Sequence, residues 1–235
     1  MKIRSILFFV FLAGFPAVSS GQIYSSPNTN PKIVEMMHRS LITEKDAYIN
    51  VEGNPFVDKD FEKGIILFKD STRAGDVPLR LNTYTDNIEF EINDTIKVLT
   101  SPEVIDNISF GHREFIYSRY KEGAFYKNGY FEVLAKGNCQ LLLRRESIIK
   151  REQLPASNYE GGNYRNYFRT AKIYFIKKDD RPAVKISKSK KSILNALGDH
   201  KSELEKYIKT NHLKLSKEDA IIDLIYYYNS LSAKD

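Results

Sequence analysis

The chain has 235 residues, 36 Lys and Arg against 30 Asp and Glu, a formal charge of +6, 15 Tyr, 14 Phe, no Trp and one cysteine. One thiol cannot close an internal disulfide, and a chain of this length buries on the order of 70 % of its extended surface without one. Acids and bases alternate along most of its length, which is not the concentrated basic stripe of a nucleic-acid-binding domain, so no nucleic-acid partner is expected.

Lys2 and Arg4 precede an apolar run from Ile6 to Ala13. That run is too short for a membrane-spanning helix, which takes about 20 residues. Ala17, Ser19, Ser20 and Gly21 then supply the small residues of a signal-peptidase site. The expectation is a cleaved secretory signal over residues 1–21 and a mature chain from Gln22. Loss of Lys2 and Arg4 takes the charge from +6 to +4. No cysteine stands at the cut to carry a lipid, so the product is expected to be exported, periplasmic or secreted from a bacterium, and not integral to the membrane.

Residues 22–63 form a mixed segment, with a short helix expected over Pro31 to Ser40 and turn residues from Asp46 to Pro55. Asp58, Asp60 and Glu62 approach the spacing of a calcium loop, but the glycine, Gly64, comes one position late and Lys69 stands where the bidentate acid belongs. A polar turn leading into a strand is expected instead.

From 64 to 186 apolar side chains recur at every second position between turn residues, which predicts an antiparallel β domain of about eight strands. Gly64 to Phe68 and Val77 to Tyr84 are the first strands. Ile88, Phe90 and Ile92 alternate with acids, and Asn93-Asp94 reads as a two-residue turn before Ile96 and Val98. Arg113 to Tyr120 and Tyr130 to Ala135 flank Asn128-Gly129, read as a second hairpin turn, and Lys136-Gly137-Asn138 leads into Gln140 to Arg145. Arg144 and Arg145 stop the aliphatic run Cys139 to Leu143 before it is long enough to cross a membrane, and Cys139 reads as a small apolar filler. Lys172 to Lys177 and Ala183 to Ile186 follow. Turns this short favour a meander, and hiding its edges calls for a curved sheet or partly closed barrel.

Residues 187–235 switch to helical spacing. Ser189 is placed to cap a helix that ends at Gly198, and Asp199 to cap a second carrying Leu204, Tyr207 and Ile208. Ser216 and Asp219 have capping-box spacing ahead of a third. In that helix Ile221, Leu224, Ile225 and Tyr228 make one apolar stripe, expected to dock on the β domain. The fold class is therefore α+β: an antiparallel β-meander followed by a small helical segment.

The segments Val77 to Phe90, Gly129 to Gly137, Lys188 to Leu197 and Tyr227 to Leu231 resemble an uncharacterised family of exported proteins from Bacteroidota-type bacteria. The resemblance implies export from a Gram-negative cell and strands followed by helices, and it carries no catalytic residue, substrate or cofactor.

Nucleophile elbows, metalloprotease His pairs, phosphate-binding glycine loops and paired-cysteine metal sites are absent from the sequence, so no cofactor and no metal is expected. Of the four histidines, His38, His200 and His212 read as solvated. His112, in Gly-His-Arg-Glu between two strands, offers a base, an anion clamp and a carboxylate at one rim. Tyr159, Tyr164, Tyr167 and Phe168 surround Gly161-Gly162 and read as an aromatic binding loop. Lys185, Lys188, Lys190 and Lys191 place positive charge at a helix N-terminus, where it is unfavourable unless an anion offsets it. The leading expectation is a non-catalytic binding protein of the envelope whose partner is an envelope protein, a glycan or an anionic lipid surface. The alternatives are a carrier of an apolar ligand in the curved sheet and a hydrolase near His112.

Overall fold

A computed structural model of the chain describes residues 23–24, 31, 35, 48–154 and 164–232. The expected signal segment, most of the Pro31 to Ser40 helix and Tyr159 lie outside the described residues. The period-two pattern becomes strands β1 (Ile23–Tyr24), β2 (Glu62–Phe68), β3 (Arg73–Asn82), β4 (Asn87–Ile92), β5 (Thr95–Val98) and β6 (Ile105–Phe110), then β7 (Arg113–Glu122), β8 (Phe125–Ala135), β9 (Cys139–Gln153), β10 (Tyr164–Lys178) and β11 (Ala183–Ile186). Helices α1 (Lys190–Leu197), α2 (Lys201–Thr210) and α3 (Glu218–Ser232) follow.

Strand order is β5-β4-β3-β2-β6-β7-β8-β9-β10-β11, with β1 added in parallel to β3. The meander is interrupted once, because β2 rather than β5 lies beside β6. β11 then returns to β7 in parallel, Ala183 beside Tyr120 and Val184 beside Lys121. Backbone pairing thus passes in a closed ring through β7, β8, β9, β10 and β11, and apart from β11 with β7 and β1 with β3 the strand pairings are antiparallel. The ring hides the two edges that an open meander of these strands would expose.

The β4–β5 turn is as expected: Asn93 and Asp94 take φ of 50° and 57°, the left-handed pair that matches strand twist. Asn128-Gly129 is not a turn. The β7–β8 hairpin reverses at Gly123-Ala124, and Asn128 and Gly129 lie inside β8, paired with Arg119 and Ser118. Gly129 serves a close approach instead: a Cβ there would lie 2.0 Å from Arg144 Nη1 and 2.7 Å from Asp86 Oδ2. Nor does the strand expected over Gln140 to Arg145 end there. β9 runs on to Gln153, because β10 pairs with it along its whole length, from Cys139 beside Lys178 to Gln153 beside Tyr164.

Alternation sorts the side chains of the ring. Tyr120, Phe131, Leu142, Phe175 and Ala183 fill its inside, and Tyr120, Phe131 and Phe175 meet edge to face with centroids 5.1 to 5.5 Å apart. On the opposite face Leu141, Leu143, Tyr174 and Ile176 are buried under the helices. Phe68, Phe90, Phe110 and Phe115 anchor a second core among β2 to β7.

The helical stripe docks as expected: Ile221, Leu224 and Ile225 are fully buried and Tyr228 nearly so. Ser189 caps α1, its side chain accepting from the Ser192 N–H, and Gly198 ends the helix at φ 83°. Asp199 does not cap α2. His200 occupies that position at φ 49° without a side-chain cap, and Asp199 is drawn to Lys178 Nζ at 3.1 Å. His200 is half-buried against the Tyr228 ring rather than solvated. α3 begins at Glu218, with Ser216 in the preceding turn and Glu218 and Asp219 in its first turn.

Candidate binding surface

Gly111 and His112 form the β6–β7 turn at φ 55° and 59°, which leaves His112 exposed at the tip while Arg113 begins β7. Beside the turn lies a shallow cleft of about 610 Å³ lined by His112, Arg113, Glu114, Glu132 and Lys136. Three carboxylates at this cleft, Asp58, Glu114 and Glu132, are taken by cations, and Glu62 is exposed at its rim. Asp58 meets Arg113 at 2.5 Å, Glu132 meets Arg113 at 3.8 Å and also Arg145, and Glu114 pairs with Lys136. The expected trio of His112, Arg113 and Glu114 is therefore adjacent without converging, and no side chain among the described residues holds the imidazole in a hydrogen bond. Asp58, read from sequence as part of an acidic turn, is the group that fixes Arg113.

At the ring's other end Arg144 is buried, donating to Asp86 at 2.8 Å and to Glu146 at 2.7 Å, with its guanidinium 5.1 Å from the centre of the Tyr120 ring. Burial raises the Asp86 carboxyl above the usual range, against the pull of Arg144. This cluster secures the β3–β4 turn to β9. Cys139 is buried where a filler was expected, and burial pushes its thiol up to about 12.

Beyond these clusters the β9–β10 hairpin outruns the body. β8 pairs with β9 only where Glu132, Val133 and Ala135 meet Leu143, Leu142 and Leu141, and β11 pairs with β10 only from Tyr174 to Ile176. Glu146–Gln153 and Tyr164–Ala171 consequently continue as a two-stranded ribbon. Alternation gives it two faces. Ser147, Phe168 and Thr170 occupy one: Thr83 Oγ1 meets Ser147 Oγ at 2.6 Å, Ser147 meets Thr170 at 2.7 Å, and Phe168 packs edge-on to Tyr48 and Tyr84. The other carries Ile148, Lys150, Glu152, Arg165, Tyr167 and Arg169. Every residue from Ile148 to Gln153 is exposed, with Ile148 at 48 % and Tyr164 at 50 %. Lys150, Arg151, Arg165 and Arg169 outnumber Glu146 and Glu152.

Three of the four aromatic residues expected on a loop are thus strand residues. Phe168 is spent on packing, Tyr167 lies 5.4 Å from the Arg165 guanidinium, and exposed Tyr164 lies 4.0 Å from that of Arg151. Sequence reading missed Ile148, Lys150, Arg151, Arg165 and Arg169. The available signal was Ile148-Ile149 followed by charged residues, since adjacent aliphatic residues in a strand point to opposite faces and only one can be buried against a single layer.

The basic entry to the helices is partly neutralised within the chain. Lys190 pairs with Glu205 at 3.3 Å and Lys188 sits 4.4 Å over the Tyr174 ring, while Lys191 and Lys185 are exposed. Among the described residues no helix is long and apolar enough to cross a membrane, and no group of His, Cys, Asp and Glu is arranged to hold a metal ion. No family model matches the chain, and neither a curated protein nor a solved structure is similar to it.

Proposed function

We propose that the protein is a non-catalytic binding protein of the bacterial envelope, exported by the segment 1–21, and that it engages a macromolecular partner through the outer half of the β9–β10 ribbon. The observation that carries this reading is the exposure of Ile148 to Gln153 on a ribbon whose root is fixed to the body by Thr83, Ser147 and Phe168. A rigidly rooted strand pair presents apolar and charged groups with little ordering cost on binding. Catalysis has less support, because Asp58, Glu114 and Glu132 near His112 are paired with Arg113, Lys136 and Arg145. The carrier reading has none in the ring, whose interior is filled by Phe131, Leu142 and Phe175.

A photoreactive phenylalanine analogue placed at Ile148 or Tyr164, in the cells that make the protein, tests the assignment. Adducts of defined mass are expected from both positions and not from Tyr226, which is equally exposed at 51 % but lies on α3. Adducts from Tyr226 alone would move the binding surface to the helices.

A further inference from the structure

The ribbon's hydrogen-bonding pattern identifies a backbone edge that is unpaired among the described residues. The Ser147 N–H donates to the Thr83 carbonyl at 3.0 Å, so Ser147 points its backbone away from β10. On β10 the Phe168 N–H donates outward to the Glu52 carbonyl at 3.0 Å, and the Asn166 carbonyl accepts outward from the Glu52 N–H at 2.8 Å. Ser147, Ile149 and Arg151 face Thr170, Phe168 and Asn166 across the hairpin. Antiparallel pairs alternate between exchanging hydrogen bonds and turning them outward, so all three pairs belong to the outward set. The N–H and C=O groups of Ile149, Arg151 and Gln153 therefore point away from β10, on the side that β8 leaves after Leu143. Glu52 covers the β10 edge; among the described residues no backbone group covers the β9 edge beyond Ser147.

We infer that β9 from Ile149 to Gln153 receives an extended, acidic segment of a partner protein as an added strand. This deepens the proposed function and rests on it. Five residues of strand span roughly 17 Å, which takes up an incoming segment of similar length. Backbone pairing supplies the affinity, and the side chains supply the selectivity: Arg165 on one face is held by Glu152 at 2.6 Å and Glu52 at 3.5 Å, which leaves Lys150 and Arg169 of that face to call for carboxylates at alternate positions, and Ile149 on the other meets an apolar residue. Pairing with a second copy of this chain is disfavoured, because it would bring Lys150 and Arg169 of both copies together.

The test uses the full mature chain and a nine-residue peptide alternating valine and glutamate, with its ends blocked. Fluorescence anisotropy is expected to show binding that weakens with salt, a valine–lysine peptide binding at least tenfold more weakly, and a tenfold loss when the peptide amides on one edge are N-methylated. Amide hydrogen exchange at Ile149 and Arg151 is expected to slow at least tenfold in the complex, while that of Lys150, already bonded to β10, stays unchanged. Four results would overturn the inference: equal binding of peptides N-methylated on either edge, unaltered exchange at Ile149 and Arg151, slow exchange there in the free protein, or protection that follows protein concentration without peptide. Crosslinking from Ile148 with unaltered exchange would leave the ribbon as the binding surface and refute strand addition alone; loss of both would refute both.

Discussion

Gly129 shows how a residue's role is set by a neighbour far away in sequence. Asn-Gly between two apolar stretches is a strong local turn signal, yet here the glycine leaves space for a guanidinium from β9 to reach a carboxylate from the β3–β4 turn. Arg144 and Asp86 are 58 positions apart, so nothing local to Gly129 announces them. Gly129→Ala forces the two groups apart at a site where the Arg144 side chain is 8 % exposed. Asp86 is only half-buried and Arg144 keeps Glu146 at 2.7 Å, so separating the pair costs about 1–3 kcal/mol, and urea unfolding is expected to show a loss of that order. A loss below about 1 kcal/mol, the ordinary cost of exchanging glycine and alanine in a regular element, would show that the pair does not depend on the glycine. By contrast Asn93-Asp94 was legible because its turn needs only what the two residues themselves supply.

Elements were legible where their periodicity is local. The stripe on α3 follows from spacing alone, and the sheet face it covers is apolar for the same reason. Its docking sets an expected outcome for Leu224→Asp: an unpaired carboxylate in a fully buried site lowers stability by about 4 kcal/mol or more, enough to remove the cooperative thermal transition or shift it far down. A melting temperature within about 2 °C of the parent would mean that α3 does not contribute its apolar face to the core. The full lengths of β9 and β10 were not legible, because outside the body both ribbon faces are wetted and the alternation that marks a half-buried strand fades. Asn229 illustrates another nonlocal tie: its amide donates to the Lys136 and Cys139 carbonyls and accepts from the Cys139 N–H, fastening α3 to the β8–β9 turn.

At the scale of the molecule, the return of β11 to β7 closes the ring, and a parallel contact between strands this distant in sequence has no signature in a periodicity pattern. The expected α+β class and the order of strands then helices hold. The ring's packed inside turns attention outward, and the ribbon combines exposed aliphatic residues, excess positive charge and an edge that is unpaired among the described residues. The most direct test separates binding from folding. Parent protein and an Ile148→Asp, Lys150→Glu double variant are recovered from the producing cell, and native mass spectrometry compares what each carries. The parent is expected to retain an associated macromolecule, and the variant, melting within about 2 °C of the parent because both positions are exposed, to be recovered without it. A variant that carries the same mass as the parent would contradict the assignment of the ribbon as the binding surface.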